Sequence, residues 1–290
     1  MQERLTLGPD WVQAVKPALT RLRTAAWRAR GGPARGGLRI LFYHRVSDDR
    51  DPLAIAPRRF AAQMDLLAAE GYRVVDVLEA ARLLAARGPL ERVVGLSFDD
   101  GYRDVAEHAL PVLEHHGFHA TVFVATGVTD GTAAFSWYER QPPLLDWTEI
   151  VALDRDSPLS FEAHTVTHPN LTALEQEAAR REIVDSKLAL EARLGRAVDG
   201  FCYPAGLYGE RERRLVAEAG YAAAVSCEPG VNLPATDRFA LHRRQIDARD
   251  GLVDFRAKVG GGHDTPLPMR RAYRRLRYGM GRPARSSSRA

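Results

Sequence analysis

Strand-like and helix-like stretches alternate along most of this 290-residue chain, and the alternation restricts its fold more than any single residue does. The apolar run Leu38–Tyr43 follows a Gly/Pro/Arg hinge at residues 31–37. Phe60, Met64 and Leu67 recur at helical spacing within Arg58–Glu70, and Gly71 is a natural stop. A short strand at Arg73–Asp76 leads to a helix at Val77–Arg87. A strand at Arg92–Phe98 leads to a helix at Tyr102–His116 that ends on Gly117. Further strands are expected at Ala120–Ala125, Leu159–Ala163, Val198–Tyr203, Ala222–Cys227 and Phe239–Ile246. Helices fall between them at Trp147–Leu153, from a capping box at Thr172–Glu175 to about Leu194, and at Glu210–Ala219. Strands separated by helices imply parallel pairing through crossovers. Seven or eight such units in roughly 220 residues favour a closed or nearly closed barrel over an open sheet. The expectation is an α/β fold with one catalytic domain, a TIM-like (β/α)7-8 barrel at residues 38–260. A basic, helical extension at 1–37 and an Arg-rich tail at 261–290 flank it.

Composition narrows the setting. No run of 18 apolar residues occurs, so no membrane-spanning helix is expected. Glu3, Arg4, Asp10, Lys16, Arg21 and Arg23 interrupt the N-terminal segment, which argues against a secretory signal. The expected location is the cytoplasm or, peripherally, the cytoplasmic membrane face. Residues 1–37 hold seven Lys/Arg and two acids, and residues 265–290 hold eight Arg and no acid. The rest carries 26 basic and 35 acidic residues, so the basic character belongs to the ends. Such ends either attract phosphate-rich partners and anionic lipid or are simply solvated. Asp10 can cap a helix with Trp11, Val15, Leu19 and Leu22 on one face and Lys16, Arg21, Arg23 and Arg28 elsewhere. That pattern fits a membrane-surface helix, weakened by Pro17, or a segment docked on the barrel's underside. No nucleic-acid-binding module accompanies the basic ends, so no specific nucleic-acid partner is expected. Cys202 and Cys227, the only cysteines, lack CxxC spacing and read as small hydrophobes.

Two segments carry chemistry. Leu96-Ser97-Phe98-Asp99-Asp100-Gly101 ends an apolar run with adjacent carboxylates, and His164-Thr165-Val166-Thr167-His168 offers two imidazoles at i,i+4. On a strand continuing through Asp99 and Asp100 the two side chains point in opposite directions. One is then available to a metal while the other stays free to accept a proton. The same Asp-Asp-Gly also suits a helix N-cap ahead of Tyr102. His164 and His168 share a face in strand or helix, and Pro169 argues against a continuing helix. An HxxxH is often two unrelated polar positions, but beside the Asp pair it makes Asp100, His164 and His168 available as ligands. Three protein ligands plus an open position is the pattern of a catalytic metal site. Neutral imidazole suits Zn2+, with Co2+, Ni2+ or Fe2+ as alternatives. These residues and Pro204 all fall at predicted strand ends, where parallel barrels gather their chemistry.

Together these segments resemble the polysaccharide deacetylases, also called carbohydrate esterase family 4. Ser97-Phe98-Asp99-Asp100-Gly101 is similar to that family's first motif, Thr/Ser-Phe-Asp-Asp-Gly, and His164–His168 to its second, His-Ser/Thr-x-x-His. Leu41–Val46 is similar to an early Tyr-His segment, and Phe201–Gly206 stands where the third motif would be. The resemblance spans roughly residues 38–246, in order, and is carried by the first two motifs. It implies a distorted (β/α) barrel and metal-dependent removal of an N- or O-acyl group from a sugar. By it, Asp99 is the base, Asp100, His164 and His168 hold the metal, and the backbone N–H of Ala205 helps bind the oxyanion.

Two departures stand out. Cys202 replaces the arginine that usually orients the base, and either Arg243 or Arg244 could approach Asp99 instead, or both could be surface charges. The general acid, usually a late histidine in a Leu-x-His context, is matched loosely by His242, with His44 a competing candidate. Tyr203, Pro204, Ala205, Tyr102 and His44 are the expected substrate-binding positions, although core packing also explains the tyrosines. The expected activity is a metal-dependent deacetylase of an N-acetylated glycan or lipid-linked saccharide in exopolysaccharide or cell-envelope assembly. An aminosugar-lipid deformylase needs the same groups. A glycan-binding barrel that has lost catalysis is the non-enzymatic alternative, and the basic ends allow peripheral membrane contact.

Overall fold

The computed structural model of the protein describes residues 10–32 and 36–264. Its centre is an eight-stranded, all-parallel sheet. Strand β1 (Arg39–Tyr43) pairs with β5 (Val93–Asp99), Leu41 standing opposite Leu96. On its other side it pairs with β10 (Arg243–Gln245), Ile40 standing opposite Arg243. The lower half of β5 pairs with β4 (Arg73–Val75) and its upper half with β6 (Ala120–Val124). From β6 the sheet continues through β7 (Leu159–Ala163), β8 (Gly200–Cys202) and β9 (Ala223–Val225). Val225 then bridges Leu241 in parallel, and the Leu241 N–H donates to the Ala224 carbonyl at 2.9 Å, so the sheet meets itself ahead of β10. This is the expected nearly closed barrel, distorted by the β4 wedge and by three-residue strands. A separate two-stranded sheet joins β2 (Arg45–Val46) to β3 (Ala54–Ile55).

Every residue of β1, β5 and β6 is buried, as parallel strands covered on both faces require. Helix α2 (Pro57–Ala69) opens on a proline, whose missing N–H costs nothing there, and buries Phe60, Met64 and Leu67 against the barrel. Helix α3 (Val77–Ala85), capped by the Asp76 side chain, plugs the mouth at the N-terminal ends of the strands. Gly95 makes that possible: a Cβ there would stand 2.9 Å from Ile40 Cγ1 and 3.4 Å from Ala80 Cβ.

Three local expectations need correction. The helix expected at Tyr102–His116 begins as a π-type turn at Val105–Ala109 and becomes α4 only at Leu110–His116. Pro111 has no N–H to bond the preceding turn, which leaves room for the wider one. The Thr172–Glu175 capping box does not form, because the Asn170 carboxamide takes both the Thr172 N–H (3.1 Å) and its hydroxyl (2.8 Å). Thr172 sits in a single 3-10 turn, and helix α7 (Gln176–Leu194) starts after it. The last strand is shorter than expected and β9 stops before Cys227.

The irregular stretch after α5 (Thr126–Thr129) folds over the site and buries Phe135. It ends at α6 (Trp147–Asp156), which opens with a reciprocal Asp146/Glu149 capping box. Helix α8 (Glu210–Glu218) packs on α7, and α9 (Leu252–Val259) follows β10. Helix α1 (Asp10–Ala29) runs unbroken past Pro17 and lies on α9. Residues 265–290 lie outside the described residues, but Gly261–Asp264 are packed on the barrel, His263 being buried and Asp264 paired with Arg39 at 2.6 Å.

Candidate active site

The C-terminal ends of β5, β7 and β8 deliver side chains to one mouth of the barrel, and Arg243, the first residue of β10, reaches them from below. Strand β5 ends at Asp99, and Asp100 takes a left-handed backbone (φ 74°) followed by Gly101 (φ 70°). Strand alternation therefore stops at Asp99, and the two carboxylates do not diverge as expected: both come within reach of His164.

The Arg243 guanidinium grips Asp99 with two hydrogen bonds, Nη1 to Oδ1 at 2.6 Å and Nη2 to Oδ2 at 2.8 Å. The guanidinium is fully buried, lies 4.3 Å from the Phe42 ring centre and also donates to the Ser97 hydroxyl and the Ser226 carbonyl. Burial alone would raise the Asp99 pKa, but the Arg243 charge and hydrogen bonds reverse this and bring it to about 2. Asp99 is thus held ionised. The Cys202 sulfur lies 3.0 Å from Arg243 Nη2, so the thiol occupies space beside the fork without supplying a charge. Of the two late arginines, Arg243 faces inward, while Arg244 bonds the His263 carbonyl on the opposite side of β10.

Asp100, His164 and His168 form a separate group. His164 Nε2 and His168 Nε2 stand 3.7 and 3.8 Å from Asp100 Oδ1. That oxygen is buried without a hydrogen-bond partner. His164 Nδ1 donates to the Cys202 carbonyl at 2.8 Å, which leaves the Nε2 lone pair facing Asp100. Burial lowers the proton affinity of both imidazoles, so both are neutral at pH 7. Burial and the neighbouring Asp99 charge push the Asp100 pKa well up. The donor set fits a divalent cation on three counts. It is one carboxylate and two neutral imidazoles. Its spacing lies within the roughly 4 Å spanned by two metal bonds of about 2.0–2.2 Å. And its buried carboxylate oxygen has no other partner. Asp99, His164 and Cys202 also lie close together, but the Arg243 cation bonded to Asp99 disfavours a second positive charge there.

The loop carrying the imidazoles is tightly held. Glu182 accepts from the Val166 N–H (2.8 Å), the Thr167 N–H (2.9 Å) and the Thr167 hydroxyl (2.7 Å). Phe135 and Trp137 flank His168, their ring centres 5.5 and 5.0 Å from its own. The sequence reading missed Glu182, which lies on α7, and Phe135, whose only signal was the Gly/Pro/aromatic character of residues 126–146. Trp137 is one of the aromatics that sequence alone offers as a sugar platform, and here it packs on His168.

The remaining expected residues divide. His44 feels the charges of Asp99, Arg243 and His164; burial lowers its pKa to about 4, against the opposing pull of Asp99. The His242 ring, one residue ahead of β10, instead stands 3.7 Å from Glu228. Tyr102 and Tyr203 are fully buried and so present no face to a sugar, a correction to their expected role. The Tyr102 ring packs on Phe135, and Tyr203 stacks on Tyr208 at 4.6 Å while its hydroxyl donates to the Phe239 carbonyl. Pro204 is buried as well, and Ala205, partly exposed, adopts φ 51°.

A parallel barrel with a carboxylate–imidazole donor set and a clamped second carboxylate at its C-terminal mouth defines a class of protein, and comparison with known proteins identifies it. Residues 86–224 match the family described as Polysaccharide deacetylase. Over 224 residues the chain is 30% identical to YxkH of Bacillus subtilis (strain 168), whose name places it provisionally among polysaccharide deacetylases; 77% of this chain and 75% of that protein are covered. Among solved structures, the Streptococcus pyogenes deacetylase PplD in complex with acetate superposes with a TM-score of 0.68 at 25% identity, covering 77% of this chain and 98% of that one. IcaB from Ammonifex degensii gives 0.68 at 26% identity, covering 78% and 98%. The chain belongs to the polysaccharide deacetylase family.

Proposed function

We propose that this protein is a metal-dependent hydrolase that removes N-acetyl (or O-acetyl) groups from a glycan or lipid-linked saccharide during exopolysaccharide or cell-envelope assembly. The observation that carries the reading is the pairing of an orphaned Asp100 oxygen, faced by two neutral imidazoles, with an Asp99 carboxylate kept ionised beside it. The likeness to a deacetylase that binds acetate supports the acetyl group.

Asp100, His164 and His168 would hold the cation, with Zn2+ the best match to one oxygen and two nitrogen donors. Bound there, it would supply Lewis acidity toward the acyl oxygen and lower the pKa of a nearby water. Asp99 accepts the proton of the attacking water, and Arg243 fixes which way its lone pairs face. The Ala205 backbone, turned by its positive φ at the mouth, offers its N–H to the oxyanion. His44, close enough to Asp99 to sense its charge and neutral at rest, takes from Asp99 the proton removed from water and relays it to the departing amine; this replaces His242, which faces Glu228.

The test is acyl release from a panel of acetylated oligosaccharides by protein of measured metal content, with Asp99→Asn as control. Metal-dependent acetate release lost in the control is the expected result. Formate release from a formylated aminosugar-lipid would make the protein a deformylase. Absence of any release from a metal-loaded protein that still binds glycan would make it a binding barrel.

A further inference from the structure

We propose that the face opposite the active site docks on an anionic lipid bilayer through the outer stripe of α1. The inner side of this helix is tied to the barrel: the Thr24 hydroxyl donates to Asp254 at 2.6 Å and lies 3.0 Å from His263 Nε2. Its outer side is apolar. Leu19 and Leu22 are 55% and 66% exposed, and Ala18, Ala25, Ala26 and Ala29 are exposed with them. At about 100° per residue these six positions fill an arc of about 120° that contains no polar residue. Arg21 and Arg28 border the arc on one edge and Arg30 on the other, all three exposed. A helix whose outer face met only water would carry its polar residues there. An apolar stripe edged by arginines is the pattern of a helix lying in a membrane interface. Leu252 and Val253, at the start of the helix that α1 rests on, are exposed as well.

Charge selects the partner. Next to the stripe opens a cavity of about 870 Å3 whose wall carries Arg28, Arg39, Arg92 and Arg256 against Glu70 and Glu91. It lies at the N-terminal ends of β1 and β5, away from the donor set. The chain leaves this same face at Asp264, which is bonded to Arg39, and its remaining residues 265–290 carry eight Arg and no acid. A second copy of the chain would set these arginines against their own kind, whereas a bilayer of anionic headgroups meets them with opposite charge. The donor set, at the other mouth, then faces away from the lipid.

Full-length protein sedimented with vesicles of phosphatidylcholine mixed with phosphatidylglycerol, and with phosphatidylcholine alone, tests this. Binding to the anionic vesicles should be at least about tenfold stronger and should weaken as salt is added. Leu19→Glu/Leu22→Glu should reduce it at least about tenfold while leaving the melting temperature unchanged, because both side chains are already exposed. Equal or absent binding to the two vesicles, or a double variant that binds as the parent does, would overturn the proposal. So would a dimer in sedimentation equilibrium that the double variant dissolves and that binds no vesicle.

Discussion

Replacing Arg243 with methionine while leaving Asp99 in place should cost the fold more than any other single change at the site. The guanidinium is fully buried and makes two short hydrogen bonds to a carboxylate that is itself 2% exposed. Against an ordinary 3.8, the Asp99 pKa of about 2 means that the folded protein favours the ionised form by about 2–3 kcal/mol even after the cost of burial. Arg243→Met removes that preference and leaves a buried charge alone, a loss of about 3–5 kcal/mol. Asp99→Asn should cost less, about 1–3 kcal/mol, because the guanidinium keeps Ser97, the Ser226 carbonyl and the Phe42 face. The double variant Asp99→Asn/Arg243→Met removes both charges and should lose only about 1–2 kcal/mol, so the two changes couple by several kcal/mol. The pH dependence follows from the lowered pKa. The stabilisation is complete above about pH 4 and lost as the pH falls through about 2, so the gap between parent and Arg243→Met should narrow from pH 7 to pH 3. Urea unfolding of the four proteins in the presence of a chelator, at both pH values, measures this. Strict additivity of the single changes, or a gap that does not move with pH, would refute the reasoning.

The proton-donor assignment separates two histidines: His44→Ala should lower turnover by about 10²-fold or more with metal content retained, and His242→Ala should change it by less than about threefold. Asp100→Asn should act in opposite directions with and without metal. It should stabilise the metal-free chain by about 1–3 kcal/mol by removing a buried acid whose Oδ1 has no hydrogen-bond partner, yet abolish the rise in melting temperature on adding Zn2+. His263 is kept neutral in the fold, its pKa lowered to about 3 by burial and by Arg244 and Lys258. Its contribution is therefore complete above its unfolded value of 6.5 and is lost on acidification; between pH 7 and pH 5 the parent should lose about 2 kcal/mol more than His263→Gln in paired thermal melts. Gly206→Ala should lower the melting temperature sharply, because a Cβ there would sit 2.5 Å from the Cys227 backbone nitrogen at a φ of +70°.

Much of this molecule is legible in the chain. Strand and helix periods alone lead to the parallel barrel, since buried parallel strands read as short apolar runs and the helices keep their stops at Gly71 and Gly117. Asp99, Asp100, His164 and His168 are legible because two spaced motifs are more specific than either alone. Arg243 was not separable from Arg244, because adjacent arginines on a three-residue strand carry no apolar pattern that says which one faces in. His242 and His44 were likewise not separable as proton donors in the sequence, since only the fold shows His242 beside Glu228 and His44 within the field of Asp99. The tyrosines misled because an aromatic suits a core and a sugar platform equally well, and only burial tells them apart. The turn at Asp100 was hidden behind an apolar run that looked like uninterrupted strand.

That turn belongs to a wider pattern. Among the described residues six non-glycine positions have positive φ, and four of them, Asp100, Thr165, His168 and Ala205, stand at this one mouth. Each such conformation costs on the order of 1 kcal/mol or more and persists only where its surroundings over-determine it. Here they do. The Thr165 hydroxyl donates to the His164 carbonyl and accepts the His168 N–H at 3.0 Å, Glu182 holds the two N–H groups between them, and Gly206 lets the Ala205 turn pack onto Cys227. The strain and the buried, unpartnered Asp100 oxygen are thus concentrated in the donor set, while the plugged mouth is built from ordinary apolar packing around Ile40 and Ala80. Conformations this costly have no role in packing a barrel. They make sense where three donors must already face one point before a cation arrives, so that binding it spends little free energy on reorganising the loop and more on the charge it brings to Asp100.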